Sequence, residues 1–201
     1  MIDIFTNIYN TRDWSSRETV SGTGSELRHT DIIRKEIPEL FKKHGIERVL
    51  DLGCGDVNWM KTLFYDFEYY LGIDLVEDII FKNLELYQTP TINFIWGDVN
   101  WMDIKSFYFD VIIMSDVLVH LSYRSINRVL NKVRNSGVKY LLMTHFLDEE
   151  NENIADGEWR RICWTREPFN WCPPISSIIH RVQADETGGK TLSLWKMEDV
   201  L

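Results

Sequence analysis

A chain of 201 residues, 44% hydrophobic and 13% aromatic, is long enough to bury one core and too apolar to be disordered throughout. Its net charge of -9 and pI near 5.0 argue against a nucleic-acid partner, which would ask for a basic stripe to neutralise phosphates. No apolar run is long enough for a membrane span; Cys54, Cys163 and Cys172 match no zinc spacing, follow no signal peptide, and fit reduced thiols in a cytoplasmic compartment.

In chain order, residues 1–45 read as an N-terminal cap with a helix over Glu26 to Leu40. From Ile46 onward, strand and helix signals alternate, the pattern of a parallel sheet with crossover helices. Ile46 to Leu52 is a buried strand that stops at Gly53. A helix is predicted over Val57 to Tyr65 and a strand over Tyr69 to Asp74. Glu77 to Tyr87 carries Ile79, Ile80, Leu84 and Tyr87 at helical spacing. Strands follow at Thr91 to Trp96 and at Tyr108 to Ser115, the second centred on β-branched Val111, Ile112 and Ile113. A helix over Ser122 to Asn135, ended at Gly137, leads to a fifth strand at Val138 to His145. Residues 46–145 thus form the core. Residues 146–176 are polar and aromatic, broken by Asp156-Gly157 and Pro173-Pro174, and read as a lid loop. Arg160, Arg161 and Arg166 in it form a short basic cluster, read as a solvated loop rather than an anion site. Residues 177–201 close the chain with strands Ile178 to Ala184 and Lys190 to Lys196, an antiparallel hairpin turning at Gly188-Gly189. The whole is one α/β domain.

The segment Val49-Leu50-Asp51-Leu52-Gly53-Cys54-Gly55-Asp56 carries a strand into a Gly-x-Gly turn, where missing side chains let a ligand approach the backbone. A dinucleotide fingerprint would need a third glycine where Asn58 stands, which demotes a nicotinamide cofactor. Asp74 ends the second strand, where a carboxylate can accept hydrogen bonds from two ribose hydroxyls. Asp98, in Trp96-Gly97-Asp98-Val99, follows the third strand, where a carboxylate can accept from an adenine amino group. Alone, each acid reads more readily as a strand-end cap or solvated loop residue. In register on successive strand ends, the glycines and both acids describe a pocket for an adenosine without a pyrophosphate.

The run Val49 to Asp56, with Gly72-Ile73-Asp74, Gly97-Asp98 and Phe109-Asp110-Val111-Ile112, resembles the class I, Rossmann-like methyltransferases. The likeness is close over about residues 45 to 145 and loose over the hairpin. It implies a doubly wound, seven-stranded, mostly parallel sheet in the order 3-2-1-4-5-7-6, with an N-terminal helical extension. It also implies S-adenosyl-L-methionine as cofactor, contacted by Asp51, Gly53, Cys54, Gly55, Asp74, Leu75, Gly97, Asp98, Val99 and Ser115.

Three outlying segments resemble a narrower group. They are Trp14 with Ser21-Gly22-Thr23-Gly24-Ser25 and Thr30; Ser115-Asp116-Val117-Leu118-Val119-His120-Leu121-Ser122; and Asp156-Gly157-Glu158-Trp159-Arg160 with Pro168-Phe169 and Pro174. They are similar to small methyltransferases encoded with glycosyltransferases in bacterial polysaccharide loci, and to methyltransferase domains fused to glycosyltransferases in large algal DNA viruses. That likeness implies O-methylation of a sugar hydroxyl on a glycan, such as a terminal deoxyhexose of the rhamnose type, with a glycosyltransferase as partner. Ser115 departs from the group, which has a basic residue there, so that residue's role has no bearer at this position.

A neutral hydroxyl is a poor nucleophile, so a base is expected within its reach, in line with the sulfonium methyl. Asp116, His120 and His145 stand at the carboxyl ends of the fourth and fifth strands. Asp116 reads as a base, as the orienter of one, or as a helix-start cap. His120 reads as a base or a packed histidine, and His145 as a strand-end residue facing the pocket. No metal is expected, because the sulfonium is already a competent electrophile. Ser21, Gly22, Gly24 and Ser25, with Trp14 nearby, either hold the donor's carboxylate or form a flexible linker. Trp14, Trp159, Phe169 and Trp171 either wall a sugar site, with Asp156 and Arg160 bonding hydroxyls, or pin a loop onto the sheet. A methyltransferase for another small hydroxyl or carboxyl metabolite, and a non-catalytic donor-binding module, remain open as alternatives.

Overall fold

The computed structural model describes residues 1–99, 102, 104, 108–180 and 189–200. Its architecture follows from how the apolar strand residues alternate. In β1 (Arg48–Leu52), Leu50 and Leu52 face one side of the sheet and Val49 the other, all buried, as expected of a parallel strand covered on both faces. The register then propagates each side. Leu50 aligns with Leu71 of β2 (Tyr69–Asp74) and Ile112 of β4 (Val111–Met114), and Ile112 with Leu141 of β5 (Tyr140–Phe146). These residues build one core layer with α4 (Tyr123–Arg134) and the indoles of Trp164, Trp171 and Trp195. Val49, Tyr70, Val111 and Leu142 build the other with α2 (Asp31–His44) and α3 (Glu77–Tyr87).

β3 (Ile92–Trp96) extends the parallel set beside β2, while β7 (Lys190–Lys196) runs antiparallel between β5 and β6 (Ser176–Ile179). The strand order is β3-β2-β1-β4-β5-β7-β6, the order that the resemblance implied. An amphipathic helix, α1 (Ile2–Thr11), precedes this body and has no buried residue of its own.

Three elements differ from expectation. The helix predicted from Val57 is reduced to a 3-10 run, Met60–Asp66, because Val57 has a left-handed φ of 48° that breaks helical geometry. The helix predicted from Glu26 begins only at Asp31 and runs through Pro38 to His44, where Gly45 caps it at a φ of 63°. Residues 146–176, expected as a lid loop, carry Ile162, Trp164 and Trp171 into the core, and Trp164 and Trp171 stack with centroids 4.7 Å apart. Gly188 and the second half of the strand predicted over Ile178 to Ala184 lie outside the described residues.

Candidate active site

The sheet order reverses direction between β1 and β4, the place where an open α/β sheet leaves a crevice beyond its strand ends. A cavity of about 770 Å³ lies there. Its floor comes from the ends of β1, β2 and β4 and the turn after β3; Met1 and, from α1, Phe5, Ile8 and Tyr9 roof it.

On the β1 side, Gly53 has a φ of 76°, and a Cβ added there would lie 2.5 Å from Val117. A Cβ on Gly55 would overlap Ser21 Oγ. Both positions therefore require the bare backbone. Gly55 N–H donates to Asp74 Oδ2 and Val76 N–H to Oδ1, each at 2.9 Å. Two carboxylate oxygens offer about four lone pairs, so Asp74 keeps accepting capacity for a ligand. Burial pushes the Asp74 carboxyl up, opposed by the Val76, Gly55 and Leu75 backbone N–H groups. Asp51 borders the same wall; burial pushes it up to about 7, although the Tyr70 hydroxyl donates to it at 2.7 Å. Burial also pushes the neighbouring Cys54 thiol up. Leu75, Gly97, Asp98, Val99 and Ser115 border the cavity around this group.

The loop carrying Ser21, Gly22, Gly24 and Ser25 is tethered. Asp56 accepts from Thr19 Oγ1 at 2.8 Å, Val20 N–H at 3.0 Å and Ser21 Oγ at 2.8 Å. This clamp fastens the loop to the glycine turn, and all four loop residues face the cavity, as does Trp14. The sequence offered only an acid after a glycine; its long-range partners carry no local pattern.

On the β4 side, Asp116 has a left-handed φ of 56°, a conformation that costs energy in a non-glycine residue and clusters at functional sites. Lys190 Nζ donates to its Oδ2 at 2.7 Å, and Thr144 Oγ1 donates to its Oδ1 at 3.1 Å. Burial disfavours the charged carboxylate, but the Lys190 ammonium and these hydrogen bonds hold its pKa down to about 2. His120 stacks on Trp14, centroids 4.2 Å apart. Its Nδ1 lies 2.9 Å from the Glu158 carbonyl oxygen. A carbonyl can only accept, so Nδ1 carries the proton and the neutral ring's lone pair sits on Nε2. Burial pushes the His120 pKa below its usual value, with the Glu158 carbonyl and then Asp116 opposing.

Four expected site residues lie elsewhere. The alternation along β5 that places Thr144 at Asp116 turns His145 the other way, 1% exposed, edge-on to Trp195 and accepting from Trp164 N–H at 3.3 Å. Burial pushes His145 down to about 4. Asp156 caps the start of α4, accepting from Ser122 N–H and Ser125 Oγ, both at 2.7 Å. Phe169 packs on Trp164, 4.5 Å between centroids. Arg160, 2% exposed, donates to the carbonyls of Leu118 (3.1 Å), Val119 (2.9 Å) and Leu121 (2.8 Å). It therefore fixes the 3-10 turn Leu118–His120 that presents His120. Arg160→Met is expected to lower stability by about 3 kcal/mol in denaturant melts, since three buried carbonyls lose a charged donor; an unchanged midpoint would remove that role. Of the expected aromatic wall, Trp159 and Trp14 border the cavity, joined by Phe146, whereas Trp171 is a core residue.

S-adenosylmethionine fits these donors. Asp74 retains lone pairs for a ribose diol, Asp98 stands beyond β3 for an adenine edge, and the side-chain-free turn at Gly53 and Gly55 leaves backbone open to contact. Among the described residues no group of three His, Cys, Asp or Glu side chains is placed to hold a metal ion, and no helix is long and apolar enough to cross a membrane.

Residues 49–136 match a family described as a methyltransferase domain. No curated protein sequence matches the chain. Among solved structures, magnesium protoporphyrin IX methyltransferase from Synechocystis PCC 6803, with bound S-adenosylmethionine, is 12% identical with a TM-score of 0.64, over 97% of this chain and 95% of that one. The methyltransferase domain of bacterial CtHen1 is 15% identical in one structure, with a TM-score of 0.58 over 84% of this chain and 99% of that one. In a second, it is 16% identical with a TM-score of 0.51 over 58% of this chain, which spans 65% of that one's length. At these identities the structures speak for a shared fold. Residues 49–136 are thus similar to a methyltransferase domain, set in the fold that these structures share.

Proposed function

We propose that the chain is an S-adenosylmethionine-dependent methyltransferase, that the acceptor is a sugar hydroxyl of a glycan or polysaccharide, and that His120 is the general base. The observation that carries this is the tautomer fixed by the Glu158 carbonyl, which leaves the His120 Nε2 lone pair for a hydroxyl proton. S-adenosylmethionine, when bound, supplies an electrophilic methyl group. His120 takes the proton as the hydroxyl oxygen attacks. The ionised Asp116 nearby favours the imidazolium that results, and Trp14 holds the ring in plane by stacking. Trp159, 56% exposed at the cavity wall, offers a flat apolar surface of the kind that stacks on a sugar face. A terminal deoxyhexose suits such a surface, having a methyl group where other hexoses carry a hydroxymethyl. A glycosyltransferase building the same glycan is the fitting partner, and the cytoplasm, where activated sugars are assembled, the fitting compartment.

The test is transfer of labelled methyl from the cofactor to a panel of rhamnose-terminated and other glycans, small hydroxyl metabolites and small carboxylates. Label in a glycan supports the reading. Label confined to the other metabolites overturns it, and tight cofactor binding with no transfer to any acceptor leaves a donor-binding module instead.

A further inference from the structure

The cofactor's amino-acid end carries its one anionic group, a carboxylate, beside an ammonium. The cavity that receives it is acidic, bordered by Asp13, Asp51, Asp74, Asp98 and Asp116. Among the described residues, the lysines and arginines bordering it are Lys190 and Arg161. Arg161 is paired with Glu149 at 2.5 Å, on the segment that follows β5.

Lys190 is placed differently. It opens β7, opposite Phe146 of β5, and reaches back to Asp116 at the end of β4. The tethered serine-glycine loop crosses directly over this pair: a Cβ added at Gly24 would lie 3.3 Å from Asp116 Oδ2 and 3.5 Å from Lys190 Nζ. A lysine ammonium has three donors, of which the Asp116 bond uses one. A carboxylate accepts on both oxygens, and Thr144 and Lys190 between them engage one lone pair on each oxygen of Asp116. The pair is thus a fixed cation beside a fixed anion under a loop of backbone N–H and hydroxyl groups, complementary to a bound zwitterion.

We propose that the Lys190–Asp116 pair receives the amino-acid end of S-adenosylmethionine, Lys190 taking the carboxylate and Asp116 the ammonium. The closing hairpin then supplies the cation for the cofactor's tail, while the other end of the cofactor is read from β1 and β2. The proposal rests on the cofactor and is indifferent to the acceptor, so it stands or falls separately from the sugar reading. Gly24 belongs to the same site, since a side chain there would fill the space above the pair.

The test is titration calorimetry of the full chain with three ligands. S-adenosylhomocysteine has both tail charges, decarboxylated S-adenosylmethionine has only the ammonium, and methylthioadenosine has neither. Lys190→Met is expected to weaken S-adenosylhomocysteine about tenfold or more while leaving the other two within about twofold. Asp116→Asn is expected to weaken the two ammonium-bearing ligands and spare methylthioadenosine. Equal weakening of all three ligands by Lys190→Met would mean a structural role only, and overturns the proposal. Unchanged S-adenosylhomocysteine affinity overturns it too, and a raised acceptor KM in that case would move Lys190 to the acceptor side. Should either variant fail to fold, Gly24→Val keeps both charges and applies the same criterion, selective loss of S-adenosylhomocysteine over methylthioadenosine.

Discussion

Asp74→Ala is expected to weaken S-adenosylhomocysteine binding by roughly 1.5–3 kcal/mol, about 10- to 150-fold, measured by calorimetry. Two losses combine. A ribose diol at this strand end would lose a charged acceptor, and the N–H groups of Gly55 and Val76 lose the carboxylate that orders the turn. Asp74→Asn separates them, because an amide oxygen can still accept from one N–H while the charge is gone. Its affinity should fall between those of the wild type and the alanine variant. Wild-type affinity in Asp74→Ala would show that the ribose is held by other groups.

His120→Ala is expected to cut turnover about 10²- to 10⁴-fold, the usual contribution of a positioned base, with cofactor affinity held within about threefold. The same residue shapes the pH profile. Burial lowers its pKa below 6.5, so at neutral pH the ring is unprotonated and competent. The rate should therefore fall on the acid side, with a midpoint below that of an ordinary histidine, as protonation removes the Nε2 lone pair. In the alanine variant that acid limb should flatten. Asp116 is no substitute, since a carboxyl held at about 2 binds a proton too weakly to drive the transfer. Turnover matching the wild type in His120→Ala would return the ring to a packing role against Trp14.

The parallel half of the molecule was readable because its signals are local. β1 and β2 are short, largely apolar runs that end at a glycine turn and an acid, and α3 repeats its apolar residues with the helical period, so each element declares itself within a few residues. Gly53, Gly55, Asp74 and Asp98 also stand at strand ends, and a parallel register brings strand ends to one edge. Residues whose role depends on facing or on distant partners were not readable in the same way. His145 and Thr144 are neighbours in sequence, and only the phase of β5 decides which one meets Asp116. Lys190 looks like the first residue of an edge hairpin until β7 is placed next to β5. Arg160 suggested a hydroxyl contact, yet its partners are main-chain carbonyls, which every residue possesses and no pattern can flag. The roofing side chains Phe5, Ile8 and Tyr9 do follow a helical spacing, and that signal was open to reading.

The helix over the cavity has a practical consequence. Tyr9 meets Lys82 of α3 at 2.8 Å, and Ile4 lies against Gly157 on the opposite side, so α1 spans the chamber like a crossbar resting on two posts. A ligand in the chamber lies beneath the first dozen residues, so the pace of its exchange is expected to depend on how readily that bar shifts. Because Met1 itself borders the chamber, an affinity tag joined ahead of it would sit at the doorway. Assays of turnover are better served by a tag at the opposite terminus.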